Sequence, residues 1–207
     1  MKVLVLLTVG SVCLAACSDP ERERIVKTTQ PTYDQDTGRL LELTHDRDRN
    51  GTVDTWADMD GSRMLRSRSD LDEDGTIDRW EYYDARGALT KVGFSRAHDG
   101  REDAWAFAGS DGQVVRVEIS SSADPERIDR WEHYEVGVLV SADEDASGDG
   151  RPDKTETYES GTVKTVVFDD DGDERPDRRL TYSNGTLTLI ESERDESGVF
   201  RRSVNVK

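Results

Sequence analysis

Asp70-Leu71-Asp72-Glu73-Asp74-Gly75-Thr76-Ile77-Asp78-Arg79-Trp80-Glu81 puts carboxylates at positions 1, 3, 5, 9 and 12 of a twelve-residue stretch, with glycine at 6 and an apolar residue at 8. A hard divalent cation of calcium's size takes six to eight oxygens. Alternate side chains of a tightly curled segment can converge on such an ion, and glycine at 6 permits the sharp turn. The spacing is that of the D-x-[DN]-x-[DN]-G-x5-E calcium loop. Without a cation, the same carboxylates held in one curl repel one another.

The stretch recurs. Position 9 is filled by Asp54, Asp78, Asp103, Asp129, Asp153 and Asp177, at steps of 24 to 26 residues. Trp56, Trp80, Trp105 and Trp131 come two residues later, and Tyr83, Tyr134, Tyr158 and Tyr182 five residues later. Gly61, Gly87, Gly112, Gly137, Gly161 and Gly185 close the units. A fixed period of this length marks a repeat architecture. Six units are legible, and a partial one spans residues 193–201.

The flanks decide what kind of repeat this is. Only eight residues separate Gly61 from Asp70, and the turn Asp84-Ala85-Arg86-Gly87 follows Glu81 almost at once. A stable helix needs more than about ten residues on each side. The flanks instead alternate, as in Val115-x-Val117-x-Ile119, Leu187-x-Leu189 and Trp80-x-Tyr82, which is the strand period. Ser183-Asn184-Gly185 is a hairpin turn signal. The reading is an all-β fold: an antiparallel meander of roughly 24-residue β-hairpins, about a dozen short strands, with acidic loops along one edge and glycine turns along the other. The tryptophans and tyrosines are expected to form ladders of cross-strand pairs from unit to unit, as core rather than as a ligand platform. Open, superhelical and closed sheets all remain compatible with the pattern.

Four loops carry metal-ligand spacing. Loop A is Asp46, Asp48, Asn50 and Asp54, with the Thr52 carbonyl at position 7; loop B is Asp70, Asp72, Asp74 and Asp78, with the Thr76 carbonyl. Loop C is Asp145, Ser147, Asp149 and Asp153, with the Arg151 carbonyl; loop D is Asp169, Asp171, Asp173 and Asp177, with the Arg175 carbonyl. Loop D has Glu174 where glycine belongs, and Gly172 stands nearby to relieve the curl. Pro152 and Pro176 at position 8 remove a backbone donor, which argues against the paired-loop bridge of a helical calcium hand. Glu81 and Glu156 stand at position 12, where a hairpin can turn them away from the ion. The segments before Asp103 and Asp129 have lost their ligand sets (Ser95, Ala97 and Asp99 stand in one; Ser121, Ala123 and Pro125 in the other) and are expected to be metal-free turns. Ca2+, as a structural ion, is therefore expected in two pairs of loops with a bare middle. Mg2+ fits less well, because it keeps its own waters. The competing account is that these aspartates and glycines simply make polar turns.

The chain opens with Met1-Lys2, an apolar run from Val3 to Val12, and Leu14-Ala15-Ala16-Cys17. A positive start, a short apolar stretch and small residues before a cut site describe an export signal over residues 1–16. The run is too short to span a bilayer. Cys13 leaves with the signal, so the mature chain keeps one cysteine and no internal disulfide. Residues 17–30 are polar and aperiodic, with Pro20 inside and Pro31 just beyond, and read as a tether; residues 31–207 form the repeat domain.

The net charge of −17 becomes −18 once Lys2 is removed with the signal, and charged residues (35%) outnumber hydrophobic ones (33%). A conventional globule of that composition borders on disorder. Stacked units and neutralised carboxylates would resolve this. The basic footprint that nucleic acid needs is absent; cations or basic proteins are the natural counterparts. His45, His98 and His133 occupy different slots of the repeat, and no nucleophile elbow, zinc-protease helix or phosphate-cradling loop is present, so the chain does not read as an enzyme.

Several resemblances bear on these residues. Leu14-Ala15-Ala16-Cys17 resembles the lipobox of bacterial lipoproteins, which implies cleavage before Cys17, lipid on its sulfur, membrane attachment, and a place in the bacterial cell envelope. Ser18 after the cysteine points to the outer membrane. The acidic loops are EF-hand-like in ligand spacing, and on hairpins they are similar to the calcium loops of integrin α-subunit propellers and the aspartate-rich repeats of thrombospondins. Tyr82-Tyr83-Asp84-Ala85-Arg86-Gly87-Ala88-Leu89-Thr90 resembles the YD-repeat of Rhs-type proteins. Together these imply a lipid-anchored, calcium-binding β-repeat scaffold or binding module for another macromolecule. The alternative is a metal-independent hairpin repeat that captures a basic protein.

Overall fold

The computed structural model describes residues 28–206 apart from 122–123 and 125–126. The export signal, Cys17, most of the tether, and Ala123 and Pro125 lie outside the described residues. Fifteen strands follow in order: β1 (Thr29–Tyr33), β2 (Leu40–His45), β3 (Thr55–Asp60), β4 (Arg63–Ser69), β5 (Arg79–Tyr83), β6 (Leu89–Phe94), β7 (Ala104–Ala108), β8 (Val114–Ile119), β9 (Arg130–Glu135), β10 (Val138–Glu144), β11 (Lys154–Glu159), β12 (Thr162–Phe168), β13 (Arg178–Ser183), β14 (Thr186–Arg194) and β15 (Phe200–Asn205). They form one antiparallel sheet in which every strand pairs with its sequence neighbours, from β1 at one free edge to β15 at the other. The all-β hairpin meander is thus the observed fold, and the sheet is open. The strands number fifteen rather than a dozen because β1, β14 and β15 lie outside the twelve, β2 to β13, that flank the six loops. β1 also takes in Thr29 and Gln30, expected to be tether.

Two kinds of connection alternate. On the glycine edge, Val136-Gly137, Ser160-Gly161 and Asn184-Gly185 each place both turn residues at positive φ, the type I′ geometry that matches strand twist. A register shift sits close to the turn in all seven glycine-edge hairpins, the extra residue lying each time on the strand that follows the turn. A bulge at a fixed place in each hairpin adds the same increment of twist each time. On the other edge lie the acidic loops.

Substantial contacts join only consecutive strands, so among the described residues no second layer covers either face. Burial is accordingly sparse. One row across the sheet runs through Ala57, Ser67, Glu81, Val92, Ala106, Val117, Glu132, Ala142, Glu156, Val166 and Leu180. Ala57, Val92, Ala142 and Val166 from this row are buried. The glutamates between them are held by residues two positions away on the same face of their own strand. Arg79 and Tyr83 donate to Glu81 at 3.0 and 2.6 Å, and Arg130 and Tyr134 to Glu132 at 2.9 and 2.8 Å. Glu156 takes Lys154, Tyr158 and, from two strands away, Arg130. Burial alone would push the Glu156 carboxyl up, but these donors win and hold it down at about 2.

The tryptophans lie on the opposite face and are not direct cross-strand pairs. Their row reads Trp56, Arg68, Trp80, Gly93, Trp105, Glu118, Trp131, so one residue always intervenes. Alternate strands are about 10 Å apart, too far for ring-on-ring packing of opposed residues. Only Trp80 is buried. The expected ladder is replaced by interleaving: Glu102 lies over Gly93, where a Cβ would clash with it, and accepts from Trp105 Nε1 at 2.6 Å and from the Tyr82 hydroxyl. Tyr83, Tyr134 and Tyr158, on the glutamate face, are not part of that row.

Two outcomes follow from these placements. Because Glu156 titrates below its ordinary 4.5 when folded, its contribution is full above that value and is lost as pH falls toward about 2. Thermal melts from pH 7 to 2 should show Glu156→Gln less stable at neutral pH, with the gap to wild type closing in acid. Val136, a β-branched residue at φ +50° and 92% exposed, pays for its turn with backbone strain. Val136→Asn should relieve about 1 kcal/mol and raise the melting temperature by about 2–4 °C.

Candidate metal centres

The loops are joined to one another by the sheet ladder itself. The position-9 carbonyl of each loop accepts the position-1 amide of the next: Asp54 from Asp70, Asp78 from Ser95, Asp103 from Ser120, Asp129 from Asp145 and Asp153 from Asp169, all at 2.8–2.9 Å. This presses position 1 between two loops. Asp70, Ser95, Ser120 and Asp145 are buried there, as is Asp54 at position 9.

Within a loop, side-chain oxygens take the amides that the curl leaves over. Position 9 binds the amides at its start: Asp54 the Arg47 amide (2.8 Å), Asp78 that of Leu71 (2.6 Å), Asp153 that of Ser147 (2.6 Å) and Asp177 that of Asp170 (2.6 Å). Position 1 binds the amide of position 6: Asp46 that of Gly51, Asp70 that of Gly75, Asp145 that of Gly150, Asp169 that of Glu174. Position 5 binds position 7, as Asn50 does Thr52, Asp74 Thr76, Asp149 Arg151 and Asp173 Arg175. For Asp145, burial raises the carboxyl pKa, but the Gly148 and Gly150 amides and the Ser147 hydroxyl bring it below the usual range.

Positions 4 and 6 are left-handed in all these loops. Glu174 adopts φ +66° at position 6 where its counterparts are Gly51, Gly75, Gly100 and Gly150. Gly172 does not relieve it, since Gly172 fills position 4, which is left-handed in its own right. Loop D closes nonetheless, with the Glu174 amide 2.8 Å from Asp169.

Three of the four loops bring a trio of carboxylates together with one oxygen of each within 4.8 Å of the others: Asp46, Asp48 and Asp54 in loop A; Asp70, Asp72 and Asp74 in loop B; Asp169, Asp171 and Asp177 in loop D. Asn50 turns its amide group to Asp48 and to Glu73 of the next loop. Asp78 stands outside the loop B trio and Asp173 outside that of loop D. Among the described residues, loop C gathers no such trio; Ser147 binds Asp145 at 3.3 Å. Glu81 and Glu156 at position 12 point away, into the glutamate row already described.

Two carboxylate oxygens in loop B, Asp70 Oδ1 and Asp78 Oδ1, are sealed from solvent and accept no hydrogen bond. Asp70 is 4% exposed. A buried, unpaired acceptor costs about 1–3 kcal/mol or more when charged, so loop B holds negative charge that protein donors do not satisfy.

The loop at 95–103 makes the useful comparison. Ser95 replaces the aspartate, yet its hydroxyl takes the Asp99 and Gly100 amides at 3.1 and 3.2 Å, and Asp103 takes those of Arg96 and Ala97. The curl therefore needs acceptors at positions 1 and 9, not a carboxylate at every odd position. What the sequence pattern missed is position 4, whose side chain reaches back one loop. Glu73 meets Asn50, and His98 meets Asp78. The backbone at position 4 is left-handed in both, and the spacing within one unit carries no signal of a contact that crosses to the next.

No protein-family model matches the chain, and no curated protein matches it. Among solved structures, part of the accessory secretory protein 1, 2 and 3 crystal structure from Streptococcus pneumoniae superposes with a TM-score of 0.38 at 14% identity. The match covers 52% of this chain and 19% of that one, so this protein spans about a fifth of its length, and a likeness at that level carries no argument.

Proposed function

We propose that this chain is a calcium-stabilised β-repeat scaffold of the bacterial cell envelope, anchored through lipid on Cys17, with loops A, B and D as its principal ion sites. The observation that carries the calcium reading is loop B: three carboxylates converge there, and Asp70 and Asp78 each hold a buried oxygen that no protein donor satisfies. A hard cation that takes only oxygen ligands answers both features. Loop C, with serine at position 3 and no carboxylate trio, would bind last. The anchor rests on Leu14-Ala15-Ala16-Cys17 alone. The sheet, with two uncovered faces, would present itself to another macromolecule.

A second reading is favoured by the loop at 95–103, which closes on hydrogen bonds without the full carboxylate set. On that reading all the loops are polar turns, and the acidic surface captures a basic protein irrespective of calcium.

Two measurements separate the readings. Extracellular-type affinities of about 10⁻⁴–10⁻³ M suffice for such a module. At the tighter end, three sites in millimolar calcium supply roughly 4 kcal/mol, or about 10 °C in melting temperature, which excess EGTA should remove. An unchanged melt discards the calcium scaffold. In the second, Asp70→Asn should leave the melt in EGTA equal to or higher than wild type, since it neutralises a buried charge, while shrinking the gain from calcium. If Asp70 were only a cap, the variant would lose the same stability with and without the ion.

A further inference from the structure

His98 belongs to the loop that has lost its calcium ligands, and the backbone at φ +52° directs its ring back toward loop B. There its Nδ1 lies 3.6 Å from Asp78 Oδ1. That separation is too long for a hydrogen bond. It is close to the spacing of two ligands on one tetrahedral ion: zinc bonds of about 2.0–2.2 Å to nitrogen and oxygen leave the ligand atoms about 3.4 Å apart. Asp72 supplies a third atom, all three lying within 4.8 Å of one another; its side chain is exposed and accepts the Asp74 amide at 3.3 Å.

The state of Asp78 is a second and separate indication. Its Oδ2 is fixed by the Leu71 amide at 2.6 Å, while Oδ1 has neither solvent nor a hydrogen-bond donor. The fixed oxygen thus orients the free one, as outer-shell hydrogen bonds do for metal-ligating carboxylates. A sealed oxygen without a hydrogen-bond donor faces an imidazole nitrogen, and with that nitrogen unprotonated a cation between the two would satisfy both.

We propose that Asp72, Asp78 and His98 form an inter-loop site for a first-row transition ion of the zinc class, with a fourth position left open. The imidazole sets the class: calcium takes oxygens, whereas imidazole suits zinc, copper, nickel and iron. The site does not depend on calcium binding elsewhere. It shares Asp72 and Asp78 with the loop B calcium set, so the two ions would compete at loop B but not at loops A and D.

The test uses the full chain, stripped with chelator and titrated with Zn2+ by calorimetry, with Co2+ by visible absorption, and with imidazole NMR of His45, His98 and His133. Zn2+ should move the His98 ring resonances, and Co2+ should give the intense band of a tetrahedral site. His98→Ala, a change at an exposed side chain, should weaken this Zn2+ site at least tenfold and abolish the Co2+ band while leaving the Ca2+ titration as it was. Asp78→Asn should weaken both ions, and His133→Ala neither. The site is refuted if wild type binds no Zn2+, if His98→Ala binds it unchanged, or if only His45 or His133 responds. A protein that binds Zn2+ through His98 but is indifferent to Ca2+ would sustain this site and sink the calcium scaffold, and the converse result would do the opposite.

Discussion

The aspartate at position 9 is the pin on which each repeat turns. Its amide donates to the strand just completed, as Asp78 does to Ser69, and its carbonyl accepts from the loop that follows, as from Ser95. Its carboxylate meanwhile gathers amides from the start of its own loop, as Asp78 does that of Leu71. One residue thus joins two strands and closes the turn between them. It is present in all six units, including those that have lost the carboxylates at positions 1 and 3. Replacing its acceptor would leave the amides at the start of the curl without their partner and open the turn at the point where it closes.

Once that pin is set, a single-layer sheet still has to hide enough surface to hold its register. It does so with small residues and paired charges. Ala57, Ala142 and Val166 fill the centre of one face, and glutamates clasped by arginine, lysine and tyrosine fill the gaps between them. The other face uses half-buried tryptophans separated by Arg68, Gly93 and Glu118. Aromatic rings there also carry cations: Lys91 sits 4.0 Å over Tyr82 and Arg116 4.2 Å over Phe107. A composition with more charge than hydrophobic content is therefore compatible with order, because the charges are paired along and between the strands.

The period, the strand class and the two kinds of edge were legible because each rests on local chemistry repeated many times. Position 9, the glycine turns and the alternation around Trp80 and Tyr82 all report on residues within one unit. β1 was not legible, since it has a partner but no loop signature, and β15 showed only through the partial unit at 193–201. The tryptophan ladder was misjudged because a repeat count says nothing about the strand lying between two like residues. In the loops, the ligand spacing located the carboxylate trios of A, B and D, but not that Asp173 would stand apart or that loop C would gather none. His98 was invisible as a partner of Asp78 because the relation crosses from one unit to the next, and the spacing within a unit cannot report it.

Because each described strand pairs only with its sequence neighbours, and side chains reach no more than two strands along, as Arg130 does to Glu156, the contacts of the sheet span little more than one hairpin of sequence. Closing such short loops costs little entropy, and chains of low contact order fold quickly. There is no distant segment whose arrival must be awaited, so order can spread from whichever hairpin forms first, each edge serving as the template for the next strand. A polypeptide of this design can assemble progressively as it emerges from a channel, and damage at one hairpin need not propagate beyond its immediate neighbours.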